Sequence, residues 1–160
     1  YICEYIFKET LHKQSFSDMS QHNVVLLLGS NIGDQKNNID TALNKLSETC
    51  TILKKSEYLT SEPVEFASSN IFCNIATIIS THLSPIQLLD YVKKIEIDMG
   101  RLTDSTVSKV YTDRIIDIDI VKYGELKFVS ERLEIPHNKH LFEREFSRIL
   151  LKDLLKKTNT

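Results

Sequence analysis

Asp117 and Asp119 stand two residues apart in the run Arg114-Ile115-Ile116-Asp117-Ile118-Asp119-Ile120-Val121, with a branched apolar residue before, between and after them. Branched side chains favour extended backbone, and side chains alternate across a strand. Both carboxylates therefore share one face while Ile116, Ile118 and Ile120 take the other. Two like charges this close repel unless a cation lies between them. Hard carboxylate oxygens select Mg²⁺, an ion that usually takes one or two carboxylates from protein and completes its octahedron with waters and phosphate oxygens. The pair thus points to nucleotide chemistry. A strand with a solvated polar face is the other reading, and a pattern this short leaves both open.

The elements around the pair have clear signals. Val24-Val25-Leu26-Leu27-Leu28 is a continuous apolar run that ends in Gly29-Ser30-Asn31, the mark of a buried central strand delivering a polar turn. Gly33-Asp34 then opens a helix whose apolar stripe is Ile39, Ala42, Leu43 and Leu46, running to about Glu48. Strands are predicted from Thr51 to Thr60 and from Phe72 to Thr81, pairing as a hairpin. Ser84 as N-cap with Pro85 at the first helical position starts a second helix, with Ile86, Leu89, Val92, Ile95 and Met99 as its stripe and Gly100 at its end. A turn at Tyr123-Gly124, a short strand near Phe128 and a last helix from about Leu141 follow the carboxylate strand. Strand, helix, strand, strand, helix, strand is the ferredoxin-like α+β plan, an antiparallel sheet with helices on one side.

The 160 residues suit one domain. A net charge of −2, with 26% charged and 41% hydrophobic residues, gives no basic excess to attract nucleic acid or an acidic membrane. No apolar run approaches a membrane span. Cys3, Cys50 and Cys73 are odd in number and lack metal-site spacing, so reduced thiols in a cytoplasmic protein are expected. Residues 1–21 read as a flexible N-terminal extension and residues 22–160 as the domain.

Six pieces of the chain, in order, resemble the 6-hydroxymethyl-7,8-dihydropterin pyrophosphokinase family. They are Leu28-Gly29-Ser30-Asn31-Ile32-Gly33-Asp34, Thr60-Ser61-Glu62-Pro63-Val64, Phe72-Cys73-Asn74, Ile95-Glu96 with Gly100-Arg101, Arg114 to Asp119, and Ile135-Pro136-His137 with Glu143-Arg144. The resemblance implies transfer of pyrophosphate from ATP to the pterin hydroxymethyl group in folate biosynthesis, by a monomer. It implies Asp117 and Asp119 as ligands of two Mg²⁺ ions, and Arg101 and Arg114 as catalytic cations. Glu96, Ile120, Leu133, His137 and Arg144, with Arg114 again, would face the nucleotide. Phe72 and Phe146 would sandwich the pterin, with Asn74 and the backbone of Ser61, Glu62 and Val64 on its edge. Planar, permanently charged guanidinium groups and flat aromatic faces suit those two tasks. The segment between Arg101 and Arg114 would be a lid, with Lys109 as its further cation.

The chain departs from the family in three places. Thr112-Asp113 replaces a small residue and proline before Arg114, giving a more acidic approach. One extra residue separates His137 from Arg144, a rotation of about 100° in a regular helix, so Arg144 keeps its place only if the turn absorbs it. After Phe146 the family's apolar-proline-leucine segment is not recognisable in Ser147-Arg148-Ile149-Leu150-Leu151, which is expected to weaken the C-terminal packing. Two rival readings are another Mg²⁺-dependent nucleotide transferase and a non-catalytic ferredoxin-like ligand-binding module.

Overall fold

Alternation along β1 (His22–Ser30) sends Val24, Leu26 and Leu28 to one face of a sheet and Val25 and Leu27 to the other, so this strand is covered on both sides. The computed structural model describes residues 20–62, 71–100 and 113–156. Most of the expected extension, the lid segment with Arg101 and Lys109, and Val64 lie outside them. β1 pairs antiparallel with β4 (Phe72–Thr81) on one side and β5 (Asp117–Tyr123) on the other. β2 (Thr51–Lys55) and β3 (Leu59–Ser61) both pair with the far side of β4, giving the order β2-β4-β1-β5.

The single strand expected from Thr51 to Thr60 is thus two. The break falls at Ser56, whose N–H donates to the Ala76 carbonyl (2.9 Å) and whose hydroxyl accepts from the Ala76 N–H (2.9 Å). The ladder groups of Ala76 stay satisfied while the backbone bends.

α1 (Gln35–Ser47) and α2 (Pro85–Asp98) cross from β1 to β2 and from β4 to β5 and pack on the same face, completing the ferredoxin-like α+β fold. Their starts follow the local chemistry. Asp34 accepts from the Asn37 N–H (3.1 Å) and Gly33 takes φ 65 before it. Ser84 and Gln87 form a reciprocal capping box. Gly100, at φ 108, ends α2 in a conformation that side chains disfavour.

The expectation of helices on one side only is corrected by α3 (Glu145–Leu155). It lies on the opposite face, where Leu150 and Leu154 pack on Leu27, Ala76 and Val121. A sheet that is apolar on both faces needs a second cover. The divergent segment Ser147 to Leu151 is the body of that helix, with Ser147 and Leu150 buried. Before α3, Lys139–Glu143 forms a π-helical turn in which the Arg144 N–H donates to the Lys139 carbonyl (2.9 Å). β6 (Phe128–Val129) and β7 (Glu134–Ile135) form a small hairpin after the Gly124 turn. Among the described residues no helix is long and apolar enough to cross a membrane.

Candidate active site

The register of three strands builds the floor of a cleft on the α3 side of the sheet. Gly29 of β1 stands opposite Asp117 of β5 and Asn74 of β4, and Leu27 stands opposite Asp119. A Cβ on Gly29 would lie 2.8 Å from Asn74 Oδ1 and 3.5 Å from Phe72 Cδ1, so only glycine leaves Asn74 its place. Phe72 marks an aromatic end of the cleft on β4, and Asp117 and Asp119 a charged end on β5, with β1 between them.

At the aromatic end Phe72 and Asn74 share a strand face; Phe146, in the first turn of α3, lines the same cleft and meets the His140 ring edge-on, with centroids 6.2 Å apart. Asn74 is buried and donates from Nδ2 to Ser61 Oγ (2.7 Å). Its amide is thereby oriented by β3. Ser61 and Glu62 line the cleft at this end.

At the charged end Arg114 Nη1 lies 2.8 Å from Asp117 Oδ2. Arg114 is held by the turn after β1. Its N–H donates to Asn31 Oδ1 (2.7 Å), the Asn31 N–H donates to the Arg114 carbonyl (3.2 Å), and Asn31 Nδ2 donates to Asp113 Oδ1 (2.7 Å). Asp113, the acidic departure from the family, is therefore a latch to the buried Asn31.

Asp119 Oδ2 meets His140 Nε2 at 2.7 Å, and His140 Nδ1 meets Ser147 Oγ at 2.7 Å. Burial alone would raise the Asp119 pKa. The His140 hydrogen bond, with charge from His140, His137 and Lys93, outweighs it and holds the carboxyl well below its usual range. His137 stacks at a tilt on His140, with centroids 4.3 Å apart, and its N–H donates to the Val121 carbonyl (2.9 Å). Burial pulls the His137 pKa below its ordinary value, favouring the neutral ring. Arg144 Nη1 lies 3.2 Å from His140 Nε2, so the π-helical turn absorbs the extra residue and still delivers Arg144 to the cleft.

The cleft thus gathers Ser61, Glu62, Phe72, Asn74, Arg114, Asp117, Asp119, Arg144 and Phe146, with His137 beside His140. Glu96, Ile120 and Leu133 are not in its lining. Ile120 and Leu133 are buried in the core against α1 and α2, across the edge strand β5 from the carboxylates. Glu96 is no surface charge. It is 1% exposed, accepts from the Ile118 N–H (2.7 Å) and pairs with Lys93 (3.1 Å). Reading the sequence did not single out His140 or the latch role of Asn31. The available signal for His140 was its place one helical turn before Arg144, among residues already linked to phosphate.

The donor chemistry fits Mg²⁺. Two carboxylates on one strand face line the cleft with side chains 23% and 30% exposed, so their oxygens are within reach of an ion and its waters.

The fold and site define a ferredoxin-like α+β domain whose cleft is lined by aromatic and amide side chains together with paired carboxylates and arginines. A model of the 7,8-dihydro-6-hydroxymethylpterin-pyrophosphokinase (HPPK) family matches residues 25–156, and the chain belongs to that family. It is 35% identical over 133 residues to a 2-amino-4-hydroxy-6-hydroxymethyldihydropteridine pyrophosphokinase of Porphyromonas gingivalis, covering 82% of this chain and 89% of that one. It is 36% identical over 144 residues to the folic acid synthesis protein FOL1 of Dictyostelium discoideum, covering 89% of this chain but 21% of that protein. A mitochondrial folate synthesis bifunctional protein of Arabidopsis thaliana is 39% identical over 138 residues, 85% of this chain and 24% of its own length. The chain therefore spans about a fifth to a quarter of such relatives. The crystal structure of Plasmodium falciparum HPPK-DHPS with pterin and p-hydroxybenzoate shares the fold, with a TM-score of 0.61 at 16% identity over 84% of this chain and 38% of that one.

Proposed function

We propose that this chain transfers pyrophosphate from ATP to 6-hydroxymethyl-7,8-dihydropterin, giving AMP and the pterin diphosphate. The observation that carries the reading is the cleft itself: the Asp117 and Asp119 carboxylates and the Phe72, Asn74 and Phe146 slot line one space. Neither rival reading calls for both ends.

Phe72 and Phe146 offer the faces on which a pterin ring would stack, worth about 0.5–1.5 kcal/mol per contact beyond burial. Asn74, fixed by Ser61, presents an amide to the ring's amide and amine edge, with the backbone of Ser61, Glu62 and Val64 alongside. Asp117 and Asp119 would hold the two Mg²⁺ ions, which when bound neutralise charge on the ATP phosphates. Arg114 and Arg144 approach from opposite ends of the carboxylate pair, and their forks can each take two phosphate oxygens. His137, kept neutral, can donate one hydrogen bond to a phosphate. Arg101 and Lys109 would add charge from the lid. Ile120 and Leu133 would meet the adenine only past the edge of β5, and Glu96 holds β5 through Ile118.

A cytoplasmic monomer is part of the proposal. Cys50 and Cys73 are buried free thiols, which suits a reducing compartment, although relatives from Arabidopsis thaliana and Pisum sativum are mitochondrial. Incubation with ATP, Mg²⁺ and the pterin is expected to release AMP only when the pterin is present. ADP as the product would make the protein an ordinary kinase.

A further inference from the structure

Asp119 belongs to a second constellation besides the carboxylate pair. One ligand atom each from Asp119, His137 and His140 lies within 4.8 Å of the other two. We infer that these three side chains form a site for a borderline transition-metal ion such as Zn²⁺, distinct in donors from the Asp117 and Asp119 pair. Two imidazoles and one carboxylate suit Zn²⁺ or Co²⁺ and do not suit Mg²⁺, which prefers oxygen ligands.

The surroundings complete the site. His140 is buried, and its Nδ1 lies 2.7 Å from Ser147 Oγ. A hydroxyl can accept as well as donate, so Ser147 Oγ can accept a hydrogen bond from Nδ1–H and leave the Nε2 lone pair for an ion. Fixing a ligating ring through its other nitrogen is the usual way such ligands are oriented. Ser147 lies on α3, which Leu150 and Leu154 pin to the sheet. His137 is carried separately, by the backbone bond to Val121 and the tilted contact on His140. The hydrogen bond between His140 Nε2 and Asp119 Oδ2, at 2.7 Å, would give way to two metal bonds. Arg144 Nη1, 3.2 Å from Nε2, would swing off the ring.

An ion held here takes Asp119 away from the nucleotide metals. Zn²⁺ would therefore act against Mg²⁺-ATP in the reaction proposed above. That consequence rests on the proposed function, but binding of the ion does not.

The test uses the whole chain with no nucleotide and no Mg²⁺. Zn²⁺ binding is measured by calorimetry, and Co²⁺ is used as a visible-absorption probe. The expected result is one ion per chain, a Co²⁺ spectrum without a thiolate charge-transfer band, and affinity at least about tenfold weaker in His137→Ala and in His140→Ala. Asp119→Asn is expected to weaken the site, whereas Asp117→Asn leaves it in place. The partly exposed His137 keeps the test valid if His140→Ala fails to fold. Zn²⁺ affinity equal to wild type in His137→Ala would overturn the assignment. So would a thiolate band, or equal loss in Asp117→Asn. Because no ATP or pterin is present, none of these outcomes depends on whether the chain transfers pyrophosphate.

Discussion

His140 Nε2 stands 2.7 Å from Asp119 Oδ2 and so fixes the orientation of one of the two cleft carboxylates from across the strand. The ring is itself fixed by Ser147. The carboxylate held this way lines the cleft. His140→Ala is expected to raise the Mg²⁺ concentration needed for half-maximal activity by about 10- to 100-fold, with the maximal rate much less affected. His140→Gln, which can still donate to Asp119, is expected to recover part of the loss. Equal loss in both variants at saturating Mg²⁺ would show that His140 does not act through Asp119.

Gly29→Ala places a methyl group 2.8 Å from Asn74 Oδ1. Because Asn74 is buried and tied to Ser61, it must turn out of the slot. Pterin affinity is expected to fall at least about tenfold, while overpacking destabilises the fold by about 1–3 kcal/mol. ATP binding measured alone should change little. Calorimetry with each ligand separately checks this.

The π-helical turn Lys139–Glu143 carries one residue more than an α-helical turn over the same ends. Phe142 within it is 69% exposed and contributes no core packing. Its deletion is expected to let the turn close as an α-helical one, with Arg144 still reaching the cleft and ATP affinity retained within about threefold, since ordinary turns are no less stable. Loss of ATP binding in a folded deletion variant would show that the wide turn is itself required.

α3 supplies Phe146 and Ser147 to the site, and Leu150 pins it to the sheet at 2% exposure. Leu150→Ala is expected to destabilise the protein by about 2–5 kcal/mol. Urea unfolding measures this. A value under about 1 kcal/mol would mean that the helix does not depend on this contact.

Tyr58 donates its hydroxyl to Asp40 Oδ1, and burial followed by that bond and the Asp40 charge pushes its pKa up to about 12. A raised pKa stabilises the fold below the unfolded value near 10 and loses that contribution as pH rises through the folded value. Tyr58→Phe should therefore be less stable than wild type by about 0.5–1.5 kcal/mol at neutral pH, from the lost hydrogen bond. The gap should narrow between pH 10 and 12. A gap constant over that window would contradict the assignment.

What the sequence made legible follows from local chemistry. The caps at Asp34 and Ser84, the stripe Ile39, Ala42, Leu43 and Leu46, the strand Phe72–Thr81 and the glycine stops are all set by residues within a few positions. So was the shared face of Asp117 and Asp119, because strand alternation decides it. The sheet side on which that face would lie was not legible. That depends on α3 covering Leu27, Ala76 and Val121, a packing choice made over long sequence distances. His140 stayed hidden for the same reason, since its partner lies 21 residues away. An extra residue before Arg144 was expected from the sequence, whereas the π-helical form of the turn Lys139–Glu143 was not. Asp113 read only as an acidic step before Arg114, and it proves to be bonded to Asn31, 82 residues earlier.

The central claim is that Asp117 and Asp119 serve pyrophosphate transfer to a pterin in the slot of Phe72, Asn74 and Phe146. The most direct measurement is the mass of the pterin product formed from ATP, Mg²⁺ and 6-hydroxymethyl-7,8-dihydropterin, in wild type beside Asp117→Ala and Asp119→Ala. The account predicts a pterin carrying two phosphates, one AMP for each, and a loss of at least about 100-fold in both variants with the fold intact. A pterin carrying one phosphate, or diphosphate formed as fast by the variants, would contradict it.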